Sequence, residues 1–389
     1  MLPGLSILYL IKFNVAGLPT NVFEVLIYLC AIAAVIYNPG WRKLSKSEKL
    51  SIGLIGLISL ISLIVSPQKR DALGIIKGWI VPAILVYWML KNALDSESNV
   101  KIMLKAMAYQ GVLVAIVAIA QQIPAVQQWW INQYPDLGQY LNTGRAVSLF
   151  NSPNAAAMIL VPALIICWQL QSRSLDNAKP DKIDWLNFLI FIITALGLYE
   201  TKSRGGFIAL IVGLFVYILW IKRQRVWAHI IVAGTFLISN PIVYSILAKQ
   251  NPDNMDIRVN IWQKSWELVQ YNWFLGVGLG NFHNKFAEYT LHQPNYDEYI
   301  TPYAVHPHNI ILYIWLSFGL LGFLGFVNFI YWLHKSTLGT KSPLAILGAV
   351  LILTILIHGM IDLTIFKNDL IIWFVTALAM VKAKDRLNV

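Results

Sequence analysis

"NIILYIWLSFGLLGFLGFVNFIYWL", residues 309–333, runs for 25 residues without one charged side chain. A helix needs about 20 such residues to cross roughly 30 Å of hydrocarbon, so this stretch reads as a membrane span. Comparable apolar runs recur near 19–38, 49–66, 72–90, 102–122, 153–171, 186–200, 205–221, 227–247, 343–361 and 366–381, which makes eleven spans in all. Composition agrees: of 389 residues 57% are hydrophobic and only 13% charged, too apolar for a chain solvated by water. The expected fold is an all-α polytopic membrane protein, a single integral membrane domain over residues 1–389. The opening "MLPGLSILYLIKFNVAG" is apolar but short, and it lacks the basic start and small-residue cleavage site of a secretory signal. It reads as a twelfth, weaker span or as a helix lying in the interface, giving 11–12 transmembrane helices. Cys30 and Cys167 both fall inside spans, so they suggest no disulfide framework.

The formal charge of +11 matters by its placement. When the spans are threaded alternately, one side collects "WRKLSKSEK", "KNALDSESNVK", "QSRSLDNAKPDK", "KRQR", "HKSTLGTK" and "KAKDR", with 17 of the 30 Lys and Arg. Fewer lie on the other side, although it carries both long loops. The positive-inside rule makes the first side cytoplasmic. The basic excess is thus a topology signal, and no nucleic-acid partner is expected.

This threading puts 123–150 and 248–307 outside the cytoplasm, and loops of such length are uncommon unless they carry function. In the second, Ile257, Ile261, Trp262, Trp266 and Val269 recur at helical spacing, the pattern of a helix resting on the membrane surface. In the first, Trp129, Trp130 and Tyr134 have the character of interfacial anchors. Both loops read as a lid held against the bilayer.

Ionisable residues gather on that same outer side. "GRAVSLFNSPN" brings Arg145 to the start of the fifth span, and "ETKSRGGFIAL" brings Lys202 and Arg204 to the start of the seventh. Arg258 opens the surface helix; His306 and His308 precede the ninth span. Singly, each is as well explained as an anchor snorkelling its charge to water. Together they are outer-face cations that the positive-inside rule does not explain. An anion would explain them, and guanidinium groups suit phosphate because they offer a planar fork of donors and keep their charge. At a membrane that points to a lipid phosphate or pyrophosphate. Histidine adds a group able to take a proton from a hydroxyl near neutral pH, although a helix-start histidine bonded to a loop carbonyl would look the same. Asn309, beside His308, could orient an acceptor or the ring.

These residues resemble the O-antigen ligase and O-antigen polymerase superfamily. His308 and Asn309, followed by Gly319 and Gly322, fit its histidine pattern, and "GRAVSLFNSPNAAA", "TKSRGGFIAL" and "IRVNIWQKSWELVQYNWFLGVGLGNF" extend the likeness over about 140 to 335. The resemblance implies a metal-independent, inverting glycosyltransferase of the GT-C type in the bacterial inner membrane, facing the periplasm. Its donor would be a glycan on undecaprenyl pyrophosphate. Its acceptor would be lipid A core, another lipid-linked glycan or some other hydroxyl. Carried onto this chain, Arg145, Arg204 and Arg258 would neutralise the departing pyrophosphate and His308 would activate the acceptor hydroxyl. Lys202, Asn154, Asn309, His306 and Asp362 are the further substrate-binding candidates. No cofactor is expected.

Other signals are weaker. "GVGLG", with Gly276, Gly278 and Gly280, follows no strand and reads as a turn rather than a nucleotide loop. His358 and Asp362 share a helical face near the outer end of the tenth span; Asp362 could orient His308, or the two could close that helix locally. Asp136, Asp253, Asp256, Asp297 and Glu298 are scattered through loops, so no metal is expected. Some members of the superfamily are described as bicarbonate transport proteins. A transporter should carry polar residues or helix breaks near mid-span; these spans are largely apolar at their centres and the polar cluster sits at one face, which favours the enzyme. Gly319 and Gly322 read as sites of close helix approach.

Overall fold

Apolar segments in lipid must satisfy their own backbone, which helices do and open strands do not. The computed structural model describes residues 1–15, 17–37, 44–172, 184–221, 257–291, 301–337, 340–366 and 370–383; the expected span at 227–247 and the "KRQR" segment lie outside them. The described α-helices longer than four residues are α1 (Val22–Tyr37), α2 (Lys46–Val65), α3 (Lys69–Ala93), α4 (Glu97–Ala120), α5 (Pro124–Gln133), α6 (Pro153–Ser172), α7 (Trp185–Thr201), α8 (Arg204–Ile221), α9 (Ile257–Tyr271), α10 (Phe282–Leu291), α11 (Ile310–Thr337), α12 (Pro343–Gly359) and α13 (Leu370–Ala383). Of these, α2, α3, α4, α6 and α11 are long and apolar enough to cross a membrane, and α1, α7, α8, α12 and α13 are shorter apolar helices. Ten of the eleven expected spans are therefore helices, and the protein is an all-α, multi-pass membrane protein. Side-chain oxygens of Ser45, Ser96, Asp184 and Ser342 accept first-turn N–H groups of α2, α4, α7 and α12, fixing where those helices begin.

The bundle is centred on α12, in which every residue from Leu344 to Gly359 is buried. It packs against α6, α8 and α13. Small residues bring neighbours close: a Cβ on Gly111 of α4 would lie 2.3 Å from the Ala163 Cβ of α6. A charged pair sits within the outer bundle, where Lys77 Nζ reaches Glu24 Oε1 at 2.7 Å and Thr20 Oγ1 at 3.0 Å. Lys77 lies in a π turn, Ile76–Ile80, that widens α3 at this point.

Three expectations are corrected. Residues Leu2–Leu10 form a 3₁₀ helix, about 18 Å long at 2.0 Å per residue and too short to span. It is followed by a hairpin of Lys12–Val15 with Leu18–Asn21, and buried Ser6 meets Gln110 of α4 and Trp373 of α13. Pro3 and Ser6 are buried while Leu5, Ile11, Phe13 and Val15 are exposed, so the segment is no span, and its apolar exposure fits the alternative of a helix lying in the interface. Second, the apolar face of α9 does not lie open to a membrane surface: Ile261, Trp262, Leu268 and Val269 pack on Phe282 and Phe286 of α10 and on Leu312 and Leu316 of α11. Third, Gly319 breaks α11 with φ 64°. The backbone groups freed there bond to the turn after α9, Leu320 N–H to Phe274 O at 3.0 Å and Val277 N–H to Leu316 O at 2.6 Å. A Cβ on Gly319 would lie 2.2 Å from Phe274 O, so glycine is needed for close approach of a loop rather than of a helix. Gly276, Gly278 and Gly280 all have positive φ, as the turn reading of "GVGLG" requires.

Candidate functional site

Four chain ends converge at one point: α6, α8 and α11 begin there and α12 ends there. Helix N-termini direct unpaired N–H groups and positive dipole ends outward, so their convergence favours negative charge. The local sequence explains the convergence. Ser203 accepts the Gly206 N–H at 3.2 Å and so caps α8. Gly205 lets the His358 ring of α12 approach, and Gly206 does the same for Ala157 of α6. "SRGG" therefore starts a helix and draws two neighbours onto it.

Asp362 is the hub. Only 5% exposed, it accepts from Leu363 N–H at 2.8 Å and faces His308 Nδ1 at 3.2 Å and His306 Nε2 at 3.7 Å, all through Oδ1. Its Oδ2 accepts from Asn154 Nδ2 at 3.1 Å and faces Arg258 Nη2 at 3.8 Å. Asn154 Oδ1 in turn accepts from Ser203 Oγ at 2.9 Å. A single carboxylate thus ties together α6, α8, α9 and the start of α11. Of the two readings open for Asp362, the geometry matches the one in which it orients His308.

The histidines are held from both sides. His308 takes φ 48°, its N–H donates to His306 Nδ1 at 3.2 Å, and its carbonyl accepts from Trp262 Nε1 at 3.2 Å. The two rings lie 4.1 Å apart. His308 Nε2 faces the Tyr303 carbonyl at 3.1 Å. Both ring nitrogens face oxygen acceptors, so each contact is a hydrogen bond only when that nitrogen carries a proton; Nε2 offers a lone pair to an incoming hydroxyl only once it has given up its proton and the Tyr303 carbonyl has moved away.

Arg258 faces this hub, and Arg145 lies within electrostatic reach of Arg258 and Arg204. Burial pulls the Arg145 guanidinium below its ordinary range; Tyr140 acts in the opposite sense, and the neighbouring charges of Arg258 and Arg204 push the same way as burial. Arg145 therefore feels the charges of both Arg258 and Arg204, a repulsion that an anion would relieve. Arg204 is exposed on the first turn of α8, and Lys202 projects its Nζ over Gly144. Asn309 has both ends of its side chain engaged within the protein. It is fully buried, its Oδ1 accepts from Ile311 and Leu312 N–H, and its Nδ2 donates to Met360 O at 2.9 Å. It caps α11.

Sequence reasoning passed over Ser203, the Trp262 grip on His308, and Gln121. Gln121 is fully buried and holds the loop that carries Arg145 and Asn154: Nε2 donates to Ser148 O at 2.9 Å, and Oε1 accepts from Val147 and Ser148 N–H at 3.0 and 2.8 Å. His306, His308 and Asp362 present ligand atoms within 4.8 Å of one another, a set that could hold a cation, although scattered acids had suggested no such cluster. The histidines face Asp362 Oδ1 and Arg258 faces Oδ2, so a cation held by this set would share the carboxylate with the guanidinium.

Residues 189–327 match the family model described as O-antigen ligase, a stretch that includes Arg204, Arg258, His306, His308 and Gly319. An O-antigen ligase of Salmonella typhimurium is 22% identical over 289 residues, which cover 70% of this chain. Both matches support the O-antigen ligase superfamily. The chain spans 66% of the length of that relative. Arg145, Asn154 and Asp362 lie outside the stretch matched by the O-antigen ligase model, yet Asn154 and Asp362 make direct contacts with the matched residues.

Proposed function

We propose that this chain is a glycosyltransferase of the O-antigen ligase type, moving a glycan from undecaprenyl pyrophosphate to an acceptor hydroxyl at the periplasmic face of the bacterial inner membrane. The observation that carries the reading is the division of labour around Asp362, with histidine on one oxygen and arginine on the other. The acceptor O–H gives its proton to His308 Nε2 as its oxygen attacks the anomeric carbon. The bond from that carbon to the pyrophosphate oxygen breaks, with inversion. Asp362 steadies the imidazolium that forms, and Arg258, Arg204 and Arg145 take up the charge arriving on the pyrophosphate. His308 then returns its proton to solvent. Before attack, the acceptor hydroxyl must displace the Tyr303 carbonyl from Nε2, so the 301–306 segment shifts as substrate binds.

The test is reconstitution in lipid with an undecaprenyl-pyrophosphate glycan, following release of the pyrophosphate lipid and appearance of a joined product. Transfer to lipid A core marks a ligase and transfer to a second lipid-linked glycan marks a polymerase. Absence of both, with bicarbonate uptake by the same preparation, overturns the reading.

A further inference from the structure

A cavity of about 350 Å³ opens beside His306, away from the arginines: Arg145, Arg204 and Arg258 do not line it. One wall is aromatic. Tyr313 and Phe366 have ring centroids 4.7 Å apart, Trp79 lies 6.5 Å from Phe366, and Tyr9 stacks on Phe150 at 6.4 Å. Set among these rings are Asn151, Ser152, Ser317, His283 and one cation, Lys12, whose Nζ lies 5.9 Å from the centre of the Tyr9 ring. His283 Nδ1 lies 3.0 Å from the Ala304 carbonyl, so that nitrogen carries the proton and Nε2 is left as an acceptor.

Flat apolar faces mixed with amide, hydroxyl and imidazole groups match a sugar ring. The C–H faces of a pyranose are apolar and slightly positive, suited to the negative face of an aromatic ring, and its hydroxyls require donors and acceptors at the edges. The volume is at the small end of the roughly 300–1,000 Å³ typical of ligand cavities. It has room for one or two sugar rings and far too little for a polyprenyl chain. Position agrees with chemistry: His306 lines the cavity and its ring is 4.1 Å from that of His308, so a ring seated there would bring a hydroxyl to the base while the pyrophosphate lies on the Arg258 side.

We infer that this cavity binds the hydroxyl-bearing terminal sugar of the acceptor, with Trp79, Tyr313 and Phe366 as its stacking wall; the acceptor role rests on the proposed transfer activity, whereas sugar binding does not. The separation gives the two substrates independent subsites meeting at Asp362 and His308, as an in-line displacement requires.

The test reads binding without turnover. Cys30 and Cys167 are replaced by alanine in the full chain, Ala155→Cys is introduced as a reporter in the cavity wall, and the protein is placed in lipid nanodiscs. The rate of thiol labelling is measured with dodecyl maltoside below its micelle concentration, with farnesyl pyrophosphate and with dodecanol. Dodecyl maltoside is expected to slow labelling several-fold while the other two do not, and Trp79→Leu should abolish the protection while Trp79→Phe keeps it. Farnesyl pyrophosphate binding, measured separately, should be unchanged in Trp79→Leu and weakened in Arg258→Ala. Protection by farnesyl pyrophosphate or dodecanol would make the cavity an isoprenoid or lipid pocket and overturn the inference, as would protection by none of the three. Sugar protection in a chain that shows no transfer would leave the cavity a glycan site and count against the transfer reading alone.

Discussion

Asp362 meets His308 across 54 residues of chain, Oδ1 to Nδ1 at 3.2 Å, while its other oxygen faces Arg258. One carboxylate therefore holds the histidine proposed as the base and faces the arginine proposed to bind the pyrophosphate. Asp362→Asn keeps the shape but removes the charge that stabilises an imidazolium. Transfer should fall roughly 10- to 100-fold, as with other residues that orient a functional histidine. The loss should appear in kcat at saturating substrates, with expression and helical circular dichroism unchanged. A rate near that of the unsubstituted protein would reduce Asp362 to a packing residue.

Arginine and lysine should not be exchangeable here. A guanidinium grips two phosphate oxygens at once, and an ammonium is a point charge. Arg258→Lys and Arg204→Lys should each cost on the order of 10²-fold in transfer, the scale of losing one preorganised donor to developing charge. Residues that only anchor the chain at the membrane surface would tolerate the change, so full activity in both variants would return them to that role.

Gln121 offers a test of how the site is held. Gln121→Leu would leave the Val147 and Ser148 N–H groups and the Ser148 carbonyl buried without their partner. At about 1–3 kcal/mol for each unsatisfied group, the loop carrying Arg145 and Asn154 should loosen and the thermal unfolding midpoint should drop by several degrees. Gln121→Glu keeps the acceptor and should fall in between. Equal midpoints for all three proteins would show the loop to be held elsewhere.

The span pattern was legible because length and apolarity are local properties, and ten of the eleven runs became helices. What was not legible depends on what a residue touches. The period of Ile257, Ile261, Trp262 and Val269 announced an apolar face of α9, but periodicity does not say whether lipid or Phe286 covers it. Leu2–Leu10 is as apolar as a span but too short to be one, and its contacts with Gln110 and Trp373 through Ser6 could not be read from sequence. At the site, the histidine and arginines were visible as chemistry out of place, whereas the choice of Asp362 between a local and a distant histidine was set by tertiary contact. The capping role of Asn309 had its own signal: asparagine directly before an apolar helix is an N-cap. Ser203 before "RGG" carried the same signal. Gln121 carried none.

Gly319→Ala should damage the protein by backbone collision rather than through the chemistry. The residue adopts φ 64°, and an added Cβ would fall 2.2 Å from the Phe274 carbonyl, a backbone atom that cannot swing aside. The Phe274–Leu320 hydrogen bond should break, and protease sensitivity near 272–278 should rise. Gly322→Ala would meet mainly the Phe318 side chain of its own helix and should be milder. If both variants resist protease equally well, the break in α11 does not depend on this loop.

His308→Ala is the substitution that separates chemistry from binding. The ring makes two polar contacts, to Asp362 and to the Tyr303 carbonyl, while the residue's backbone is fixed independently by His306 Nδ1 and Trp262 Nε1. Removing the ring should therefore leave the fold intact, and it should leave the arginines free to hold a pyrophosphate. Transfer should fall by the roughly 10²- to 10⁴-fold typical of losing a general base. Donor binding, measured with a non-transferable polyprenyl pyrophosphate, should change little. His306→Ala should lose less in kcat, because His306 Nε2 stands 3.7 Å from Asp362 and the ring contributes through position rather than proton transfer. As His306 also lines the sugar cavity, its loss should raise the acceptor KM, a split that His308→Ala should not show. Equal transfer by His308→Ala and the unsubstituted protein at saturating donor and acceptor would remove His308 as the base.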